Sequence, residues 1–558
     1  MQTSFWKYLM VTGGLSILPA CGGEFPNAGE SLERAGGSAF TANAQELTRA
    51  QSPALPSSSP GKFLKSANAV PGQYIVVLKD SALGTARVHE VAQRLALPQS
   101  ATVTMTYEHA LRGFVVRTSE AGARAIAARP EVDYVVEDNK ISINEPPMSV
   151  KSLEENGKAL VRGTQPSPSW GLDRIDQINL PLNGTYSYPG TGAGVHAYII
   201  DSGILTSHSD FGGRASADYT AINDGYGAGD CYGHGTFVAG IVGGSTYGVA
   251  KGVLLHSVRV LDCTNQGTES GFIAGVNWVT AHAIKPAVAN VSLAFGGLDP
   301  AADMAVRNSI ASGITYVVAA GNSNAPACNY SPADVAEAIT VGATNSSDTR
   351  ASFSNYGTCV DLFAPGESVT SDFNASNSST GVWSGTSFSA PHVAGVAALY
   401  LAGNPSAAPA TVATAVVYAS PVGKVNNAGI GSPNRLLHST PLTACSVLSS
   451  GDALSPGQTI SSCNGQATLA HQTDGNVVVY QNQNGVPLWN TVTPGQTTSS
   501  FIMQTDGNLV LYSGTGSPLW VSGTAGNSGA YLAMQDDCNL VVYSASGTPL
   551  WWSGAFCR

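Results

Sequence analysis

The sequence has little charge. Only 11 % of its 558 residues are Asp, Glu, Lys or Arg, and the formal net charge is -11. Proteins that bind nucleic acid need clustered basic residues, so this balance argues against that class. After its first segment the chain also lacks an apolar run long enough to cross a bilayer, so any membrane association would have to come from the N-terminus.

The nine cysteines include no CxxC pair, which argues against a zinc site. Residues 1–21 combine Lys7, an apolar stretch and the segment LPACGG, a pattern typical of an export signal. LPACGG is also similar to a lipobox, and lipidation of Cys21 and simple cleavage both remain open. Without Cys21 the cysteines are even in number, which in an exported chain favours disulfides.

Composition divides the first part of the chain. Residues 22–70 are rich in Ala, Gly, Ser and Pro and predict a flexible leader. Residues 71–145 alternate strand and helix signals in the order β-α-β-β-α-β, which predicts a small α+β domain. Residues 146–162 are polar and predict a linker.

Residues 163–440 alternate continuous apolar strands with amphipathic helices. This pattern predicts an α/β fold with a doubly wound, mostly parallel sheet covered on both faces. The site of such a sheet lies at the carboxyl ends of its strands, and Asp201 and Asn322 each follow a predicted strand.

Residues 441–558 lack helical periodicity and contain a repeat. QTDGNVVVY, QTDGNLVLY and QDDCNLVVY begin at Gln472, Gln504 and Gln535. A Pro-Leu-Trp follows each copy, at Trp489, Trp520 and Trp551. Short strands separated by turn residues predict an all-β domain with threefold symmetry, in which the tryptophans fill a shared axis.

Ser387 lies in GTSFSAPHVAGVAALYLAG, where small residues predict a helix that begins beside the serine. The N–H groups of a first helical turn and their partial positive charge would stabilise an oxyanion there. A lone serine in this position is more often an ordinary helix cap. Serine also needs a base, and a group that orients the base, before it can attack a peptide bond.

The base and the orienting group are provided by two residues that lie much earlier in the chain. His234, in YGHGTFVAG, begins a predicted helix, and Asp201 follows the strand AYII. Each has an ordinary alternative, since histidines beside glycine often lie in loops and an aspartate after a strand often caps a turn. Together with Ser387 they predict a nucleophile, a general base and an orienting carboxylate.

Four segments carry a family resemblance: DSGILTSHSDFGGR, GHGTFVAG, VAAGN and GTSFSAPHVAG. They resemble the signature blocks of the subtilisin-like serine peptidases, in particular the proteinase K and aqualysin branch, over nearly all of residues 163–440. The order Asp201, His234, Ser387 is the order of that family's triad. The resemblance implies that Asn322 donates a hydrogen bond to the oxyanion.

The same resemblance implies that residues 71–145 are an inhibitor-type propeptide, removed by a cut near Arg162 and Gly163. It also implies a substrate-binding strand in NVSLAFGG, formed by Ser292, Leu293, Ala294, Phe295 and Gly296. Ala294 and Phe295 stand where the family commonly has glycine, so we expect narrower subsites. Phe237 replaces a second histidine of the GHGTHVAG motif, and we expect it to affect packing more than chemistry.

Cysteines and acidic residues suggest further features of that branch. The resemblance implies two disulfides, Cys231 with Cys263 and Cys328 with Cys359; free core thiols are the alternative. We also expect Cys538 to pair with Cys557, and Cys445 with Cys463. Asp173, Asp176 and Gln177 offer closely spaced hard oxygen ligands and resemble a calcium site of aqualysin relatives; a solvated turn is the alternative.

The C-terminal repeat resembles the bulb-type mannose-binding lectins, whose motif QxDxNxVxY is intact three times. The residues concerned are Gln472, Asp474, Asn476, Tyr480, Gln504, Asp506, Asn508, Tyr512, Gln535, Asp537, Asn539 and Tyr543. Since alternate residues of a strand share a face, we expect each set to form one polar row that pairs with sugar hydroxyls in a β-prism fold. A β-domain that binds no sugar is the alternative.

We therefore interpret the chain as an exported serine endopeptidase that removes its own propeptide and carries a carbohydrate-binding domain. Its expected partners are protein or peptide substrates, its own propeptide and mannose-type glycans, with structural Ca²⁺ and no nucleic acid. A lipid on Cys21 would anchor only the precursor, so maturation would release the enzyme. The rival interpretation is a carbohydrate-binding adhesin with an inactive protease scaffold, against which the intact Asp201, His234, Ser387 and Asn322 weigh.

Overall fold

The computed structural model describes residues 62–82, 87–143, 145, 149–150, 163–188, 190–439, 447–462, 465–535, 537–545 and 549–557. The predicted export signal with Cys21, most of the predicted leader, Arg162, Cys445 and Cys463 lie outside the described residues. Within the described ranges, no helix combines the length and the apolar character that a membrane span requires.

The N-terminal domain has the predicted β-α-β-β-α-β order and one additional strand at its start. Its elements are β1 (Phe63–Leu64), β2 (Ala69–Leu78), α1 (Val88–Ala96), β3 (Thr102–Tyr107), β4 (Gly113–Arg117), α2 (Glu120–Ala127) and β5 (Val132–Ile141), and a short strand β6 (Ser149–Val150) follows. The sheet order is β1-β5-β2-β4-β3. The leader prediction for residues 22–70 was wrong at its end, because Phe63 is in strand β1 and packs against Tyr74.

Both faces of this sheet are buried. Val76 of β2 points to the face covered by α1 and α2, whose apolar residues recur at helical spacing. Its neighbours Ile75 and Val77 point to the opposite face and join a core shared with the next domain. The N-terminal domain therefore uses the second domain to bury half of its sheet.

The second domain confirms the predicted alternation of strands and helices. Its elements are β7 (Thr164–Pro166), α3 (Trp170–Ile175), β8 (Thr185–Ser187), β9 (His196–Asp201), β10 (Ala215–Thr220), α4 (His234–Gly243), β11 (Leu254–Arg259), β12 (Gly267–Thr268), α5 (Glu269–His282), β13 (Ala287–Val291), α6 (Pro300–Ala311), β14 (Thr315–Ala319), β15 (Ile339–Thr344), β16 (Leu362–Pro365), β17 (Val369–Asp372), β18 (Thr380–Trp383), α7 (Thr386–Gly403) and α8 (Pro409–Ala419).

Seven strands form a parallel sheet in the order β10-β11-β9-β13-β14-β15-β16. Helices α4, α7 and α8 cover one face, and α5 and α6 cover the other. The strands are continuously apolar because successive residues are buried on opposite faces, as Ile199 and Ile200 of β9 are. The strand order reverses beside β9, which places the crevice of the sheet at the carboxyl end of that strand.

The chain that follows the N-terminal sheet continues into this crevice. The end of β5 pairs antiparallel with β12, and β6 pairs antiparallel with β18. Residues 146–162 were predicted to be a linker, but residues 149–150 form a strand because β18 offers an unpaired edge to them. Two edges of the second domain are therefore occupied by chain from the first.

The C-terminal domain consists of three four-stranded antiparallel sheets. Its strands are β19 (Val447–Leu448), β20 (Ala453–Leu454), β21 (Thr459–Ser461), β22 (Ala467–His471), β23 (Val477–Gln481), β24 (Val486–Asn490), β25 (Thr498–Met503), β26 (Leu509–Ser513), β27 (Pro518–Val521), β28 (Tyr531–Met534), β29 (Leu540–Tyr543) and β30 (Pro549–Trp552). The sheets are β21-β22-β23-β24, β20-β25-β26-β27 and β19-β28-β29-β30. Trp489, Trp520 and Trp551 meet edge to face, with ring centroids 5.2 to 5.5 Å apart, so one aromatic cluster joins the sheets as predicted.

Three disulfides are present among the described residues. The structure joins Cys231 to Cys263, Cys328 to Cys359, and Cys538 to Cys557, which are the pairs expected from the sequence. The first two each close a loop of about thirty residues in the second domain, for which the loop-entropy model gives about 3 to 4 kcal/mol of stabilisation.

Candidate functional site

Asp201 and His234 meet at the carboxyl end of the parallel sheet. Asp201 is the last residue of β9, His234 is the first residue of α4, and both are fully buried. Nδ1 of His234 lies 2.7 Å from Oδ1 of Asp201, which also accepts a hydrogen bond from the backbone N–H of Ser202. A carboxylate held in this way fixes both the ring orientation and the tautomer of the histidine.

The loop that presents His234 is organised by a buried carboxylate that sequence reasoning missed. Asp230 accepts hydrogen bonds from the backbone N–H groups of Tyr232, Gly233 and Thr236 and from the Thr236 hydroxyl. Burial raises the pKa of Asp230, which those hydrogen bonds oppose. An aspartate three residues before a glycine is a turn signal, and it was the available hint.

Ser387 is the second residue of α7, as predicted, and its environment depends on Pro391 within the same helix. Proline has no N–H, so it cannot donate to the carbonyl of Ser387 one turn earlier. The hydroxyl of Ser292 supplies that hydrogen bond at 2.7 Å, and the hydroxyl of Ser387 donates to the carbonyl of Ser292 at 3.0 Å. Ser292 and Ser387 thus hold each other in place through two hydrogen bonds, which we call the serine clamp.

Asn322 follows β14 and lies beside the start of α7. Its amide oxygen accepts hydrogen bonds from the backbone N–H and the hydroxyl of Thr386, which fixes the orientation of the amide. Asn322, Thr386 and Ser387 line a cavity of about 290 Å³. The predicted nucleophile and the predicted oxyanion donor therefore share one pocket.

The predicted substrate-binding segment borders the same cavity, but it is not a strand, because β13 ends at Val291 and residues 292–296 follow it. Ser292, Ala294, Phe295 and Gly296 line it, whereas the Leu293 side chain is buried in the core, so Leu293 could contact a substrate only through its main chain. The Phe295 ring also packs edge to face on Phe272 of α5, which holds it at the wall of the cavity.

Phe237 packs where its position in α4 predicts. Its side chain is fully buried, and its ring contacts the rings of Trp383 and Phe388 at centroid distances of 6.0 and 4.7 Å. The same two rings also lie against His234. The replacement of a histidine by phenylalanine at this position therefore adds an apolar wall behind the base.

The other nitrogen of His234 faces a residue from the N-terminal domain. Oε2 of Glu145 lies 3.3 Å from Nε2 of His234, and both side chains are buried. Burial lowers the pKa of His234, but the negative charges of Asp201 and Glu145 outweigh it and raise the pKa to about 10. Sequence reasoning treated Glu145 only as a domain boundary, because nothing local marks a contact with His234.

Asp173 and Asp176, two of the three candidate calcium ligands, lie beside β8, whereas the side-chain nitrogen of Gln177 donates to the carbonyls of Asn179 and Pro181. Asp173 accepts hydrogen bonds from two backbone N–H groups, and Oδ2 of Asp176 accepts one from Ser187. Oδ1 of Asp176 and Oε1 of Gln177 are buried and have no hydrogen-bond partner among the described residues. Burial, together with the charge of Asp173, raises the pKa of Asp176 to about 6. Unpartnered oxygens beside a second carboxylate fit the hard, oxygen-rich site that Ca²⁺ requires.

The three QxDxNxVxY motifs fold differently from the strand row expected. Gln472, Asp474 and Asn476 lie in the turn between β22 and β23, and only Tyr480 is within a strand; the other two copies repeat this arrangement. The prediction of one strand face was wrong because the Asp-Gly pair makes a turn, with Gly475 at φ 90°.

Each turn nevertheless brings its glutamine to its tyrosine. The glutamine Nε2 lies 2.7 to 3.0 Å from the tyrosine hydroxyl in all three copies. The asparagine oxygen is used internally, since Oδ1 of Asn476 accepts from Thr491 and Thr493, and Asn508 and Asn539 have equivalent bonds. The motif therefore builds three equivalent polar turns, in which the asparagine is also structural.

The chain is similar to known proteins over both its N-terminal and its second domain. Residues 192–438 match the model of the subtilase family, and residues 73–144 match that of peptidase inhibitor I9. The extracellular serine proteinase of Thermus sp. (strain Rt41A) is 48 % identical over 392 residues, which cover 67 % of this chain and 91 % of that protein. The alkaline serine exoprotease A of Vibrio alginolyticus is 44 % identical over 384 residues, covering 68 % of this chain and 69 % of that protein.

A crystal structure of a cold adapted subtilisin-like serine proteinase is 49 % identical, with a TM-score of 0.48, and the match covers 49 % of this chain and 98 % of that one. The match to the Thermus enzyme extends over 91 % of that protein's length. This chain belongs to the subtilase family of serine proteinases and carries an inhibitor I9 propeptide.

Proposed function

We propose that the chain is an exported endopeptidase that hydrolyses peptide bonds through Ser387, His234 and Asp201. The observation that carries this proposal is the 2.7 Å contact between His234 and Asp201, and the cavity that Ser387 and Asn322 line supports it. Family membership supports the reaction class, and the extracellular relative from Thermus supports export.

In the proposed mechanism Oγ of Ser387 attacks the substrate carbonyl carbon while Nε2 of His234 takes its proton. Asp201 stabilises the imidazolium that forms, and His234 then protonates the leaving amine. The Asn322 amide and the N–H groups at the start of α7 would bind the oxyanion. Each such donor is worth about 3 to 4 kcal/mol of transition-state stabilisation. Water releases the acyl-enzyme by the same steps in reverse.

We infer that the N-terminal domain acts as the inhibitor and folding partner of this enzyme until it is cut away. Its end enters the crevice along β12, which is how a substrate strand would bind. We expect the mature enzyme to begin near Gly163, after a cut that follows Arg162. The N-terminal signal supports export.

We propose calcium as a structural ligand. Asp173, Asp176 and Gln177 would hold the ion, and the two unpartnered oxygens support this assignment. The ion would supply the positive charge that the buried Asp176 lacks in the protein itself, so its role is stabilisation rather than chemistry.

We also propose that the C-terminal domain is a lectin-like β-prism that binds mannose-type glycans. The support is the threefold repeat and the glutamine to tyrosine contact that recurs in each copy. Because the asparagine oxygens are used internally, the sugar contacts would come from Gln, Asp and Tyr and from the asparagine amide nitrogen. The domain would hold the protease near glycosylated substrates.

The activity is tested by comparing the wild type with Ser387→Ala. We expect the wild type to convert its precursor and to be labelled by a serine-directed phosphonylating reagent, whereas the variant does neither. Equal processing and absence of label in both proteins would leave the adhesin with an inactive scaffold as the better description.

The lectin proposal has a separate test. The Ser387→Ala precursor is applied to a glycan array together with a variant that carries Gln504→Ala and Tyr512→Phe. We expect mannose-type binding that weakens in the variant. No retention of either protein on any glycan would reject sugar binding without affecting the protease proposal.

A further inference from the structure

In this precursor the proposed base, His234, and the proposed nucleophile, Ser387, are each engaged with a different partner. Nε2 of His234, the atom that must take the proton of Ser387, forms an ion pair with the Glu145 carboxylate 3.3 Å away and, among the described residues, has no hydrogen bond to Ser387. The hydroxyl of Ser387 donates instead to the carbonyl of Ser292 at 3.0 Å. In this arrangement His234 is paired with Glu145 rather than with Ser387, the residue that would attack a peptide bond.

We propose that Glu145 is an autoinhibitory carboxylate, which pairs with His234 in the precursor and suppresses the activation of Ser387 until the propeptide tail leaves. The proposal rests on the triad assigned above. It goes beyond occupation of the crevice by the propeptide, because it assigns inhibition to one charge on one atom of the base.

The surroundings of His234 strengthen the effect of the Glu145 charge on its imidazole ring. Two carboxylates face the ring of His234, Asp201 from β9 and Glu145 from the tail. The titratable groups of the adjoining loop, Asp230 and Tyr232, interact with these carboxylates, and Trp383 and Phe388 pack against the ring as apolar neighbours. Both Glu145 oxygens are buried, and apart from the ion pair with His234 neither has a hydrogen-bond partner among the described residues. A charge interaction in such a dry site is far stronger than at the surface.

The direction of the effect follows from the protonation state of the base. Burial lowers the pKa of His234, and Asp201 and Glu145 together raise it to about 10. At neutral pH the histidine of the precursor is therefore protonated and cannot accept the proton of Ser387. Removing the Glu145 charge takes away one of the two carboxylates that raise this pKa, so the pKa falls and the neutral base becomes populated at lower pH.

The tail is tethered on both sides of Glu145, which keeps the ion pair in place. Before it, the backbone N–H and carbonyl of Ile143 bond to the side-chain amide of Asn265. After it, Ser149 and Val150 pair with Val382 and Gly381 of β18. The carboxylate thus stays opposite His234 as long as these contacts hold.

The test is the pH dependence of self-processing. Full-length precursor is denatured, diluted into refolding buffers from pH 5.5 to 10, and followed by gel as it converts. Wild type, Glu145→Gln, Glu145→Asp and Asp133→Asn are compared; Asp133 is an exposed propeptide carboxylate on β5 and serves as the matched control. We expect Glu145→Gln to convert at least about tenfold faster at pH 7, with a midpoint at least about one unit lower, since one pKa unit changes the neutral fraction tenfold. Glu145→Asp should lie between, and Asp133→Asn should match the wild type.

A second measurement does not depend on cleavage or on the yield of refolding. The pKa of His234 is measured by NMR in the Ser387→Ala precursor with and without Glu145→Gln, and we expect the Gln variant to have the lower value. Equal pKa values, or identical processing profiles for wild type and Glu145→Gln, would overturn the autoinhibitory role. If neither precursor is processed at any pH while the pKa values differ as expected, the proposed triad fails and the ion pair stands.

Discussion

At the scale of single residues, the proposed nucleophile Ser387 is held in place because one backbone N–H of its helix is missing. Pro391 leaves the carbonyl of Ser387 without its helical partner, and Ser292 provides the replacement. The carbonyl of Ser292 accepts the Ser387 hydroxyl in return. Ser292, which directly follows β13, thereby fixes both the backbone and the side chain of the proposed nucleophile.

Ser292→Ala tests this clamp. Removing the hydroxyl leaves a buried carbonyl unpaired, which costs about 1 to 3 kcal/mol, and we expect kcat to fall about tenfold while KM stays within about twofold. The control is Ser257→Ala, which removes an equally buried hydroxyl that donates to the Ala228 carbonyl. Active-site titration followed by steady-state kinetics makes the comparison, and an equal loss of kcat in both variants would show that the clamp has no special role.

Asp176 provides a prediction about pH and calcium. Its folded pKa of about 6 is above the ordinary value of 3.8, so without metal the associated stability is present at low pH and is lost as pH rises through about 6. Calcium needs the ionised carboxylate, and we expect it to raise the thermal midpoint at pH 8 and to have little effect below pH 6. Scanning calorimetry of phosphonylated enzyme, with Ca²⁺ or a chelator, measures this.

The matched variant for calcium is Asp176→Asn, which keeps the shape of the side chain without its charge. We expect its thermal midpoint to be the same with Ca²⁺ and with chelator. A wild-type midpoint that does not respond to calcium at pH 8 would contradict the assignment of this site.

The proposed triad could be inferred from the sequence because Asp201, His234 and Ser387 each lie inside a motif whose neighbours indicate a strand end or a helix start. Asp230 and the Ser292 hydroxyl could not, since their roles depend on contacts that only the folded chain creates. Glu145 is the clearest case, because its partner His234 is 89 residues away in the chain and belongs to another domain.

At the scale of elements, the repeat turns show why alternation alone was misleading. The motif residues Gln, Asp, Asn and Tyr stand at alternate positions of QTDGNVVVY, and that spacing suggested a single strand face, but the Asp-Gly pair lies in the turn between two strands. A Cβ on Gly475 or Gly507 would collide with the backbone carbonyl of the next loop. In the third copy Cys538 takes this position at φ 72° and forms the disulfide with Cys557. The turn is therefore fixed by space as much as by conformation.

Gly507→Ala separates those two causes. Its matched control is Gly516→Ala, which has a similarly positive φ of 85° but no atom within 4 Å of the added methyl group. Both substitutions strain the backbone, and only the first also meets the Asn527 carbonyl. We expect Gly507→Ala to lower the unfolding free energy of the C-terminal domain by about 1 to 3 kcal/mol more than the control does.

Urea unfolding of the full chain in the Ser387→Ala background, followed by tryptophan fluorescence, measures this difference, because three tryptophans form the core of that domain. Equal losses in the two glycine variants would mean that the next loop simply moves aside.

At the scale of the whole molecule, the propeptide and the enzyme complete each other's structure. The propeptide residue Asp138 is fully buried, and it accepts hydrogen bonds from the backbone N–H and the hydroxyl of Ser270 in the first turn of α5. It thus acts as a helix cap supplied by another domain, with its negative charge at the positive end of the helix. Tyr107 adds a hydrogen bond to the Ser270 carbonyl.

This interface predicts how long the cleaved propeptide stays bound. Asp138→Asn keeps the size of the side chain but removes the charge and one acceptor, and a hydrogen bond to a charged group is worth about 1.5 to 3 kcal/mol. We expect the cleaved complex to dissociate about 10- to 100-fold faster, so protease activity appears sooner after self-cleavage, whereas the cleavage step itself keeps its pH dependence because Glu145 is unchanged. Parallel gel and activity time courses separate the two steps, with Asp133→Asn as the control. If the delay between cleavage and activity is the same in all three proteins, the cap does not set the lifetime of the inhibited complex, and the apolar core shared by the two domains must hold it alone.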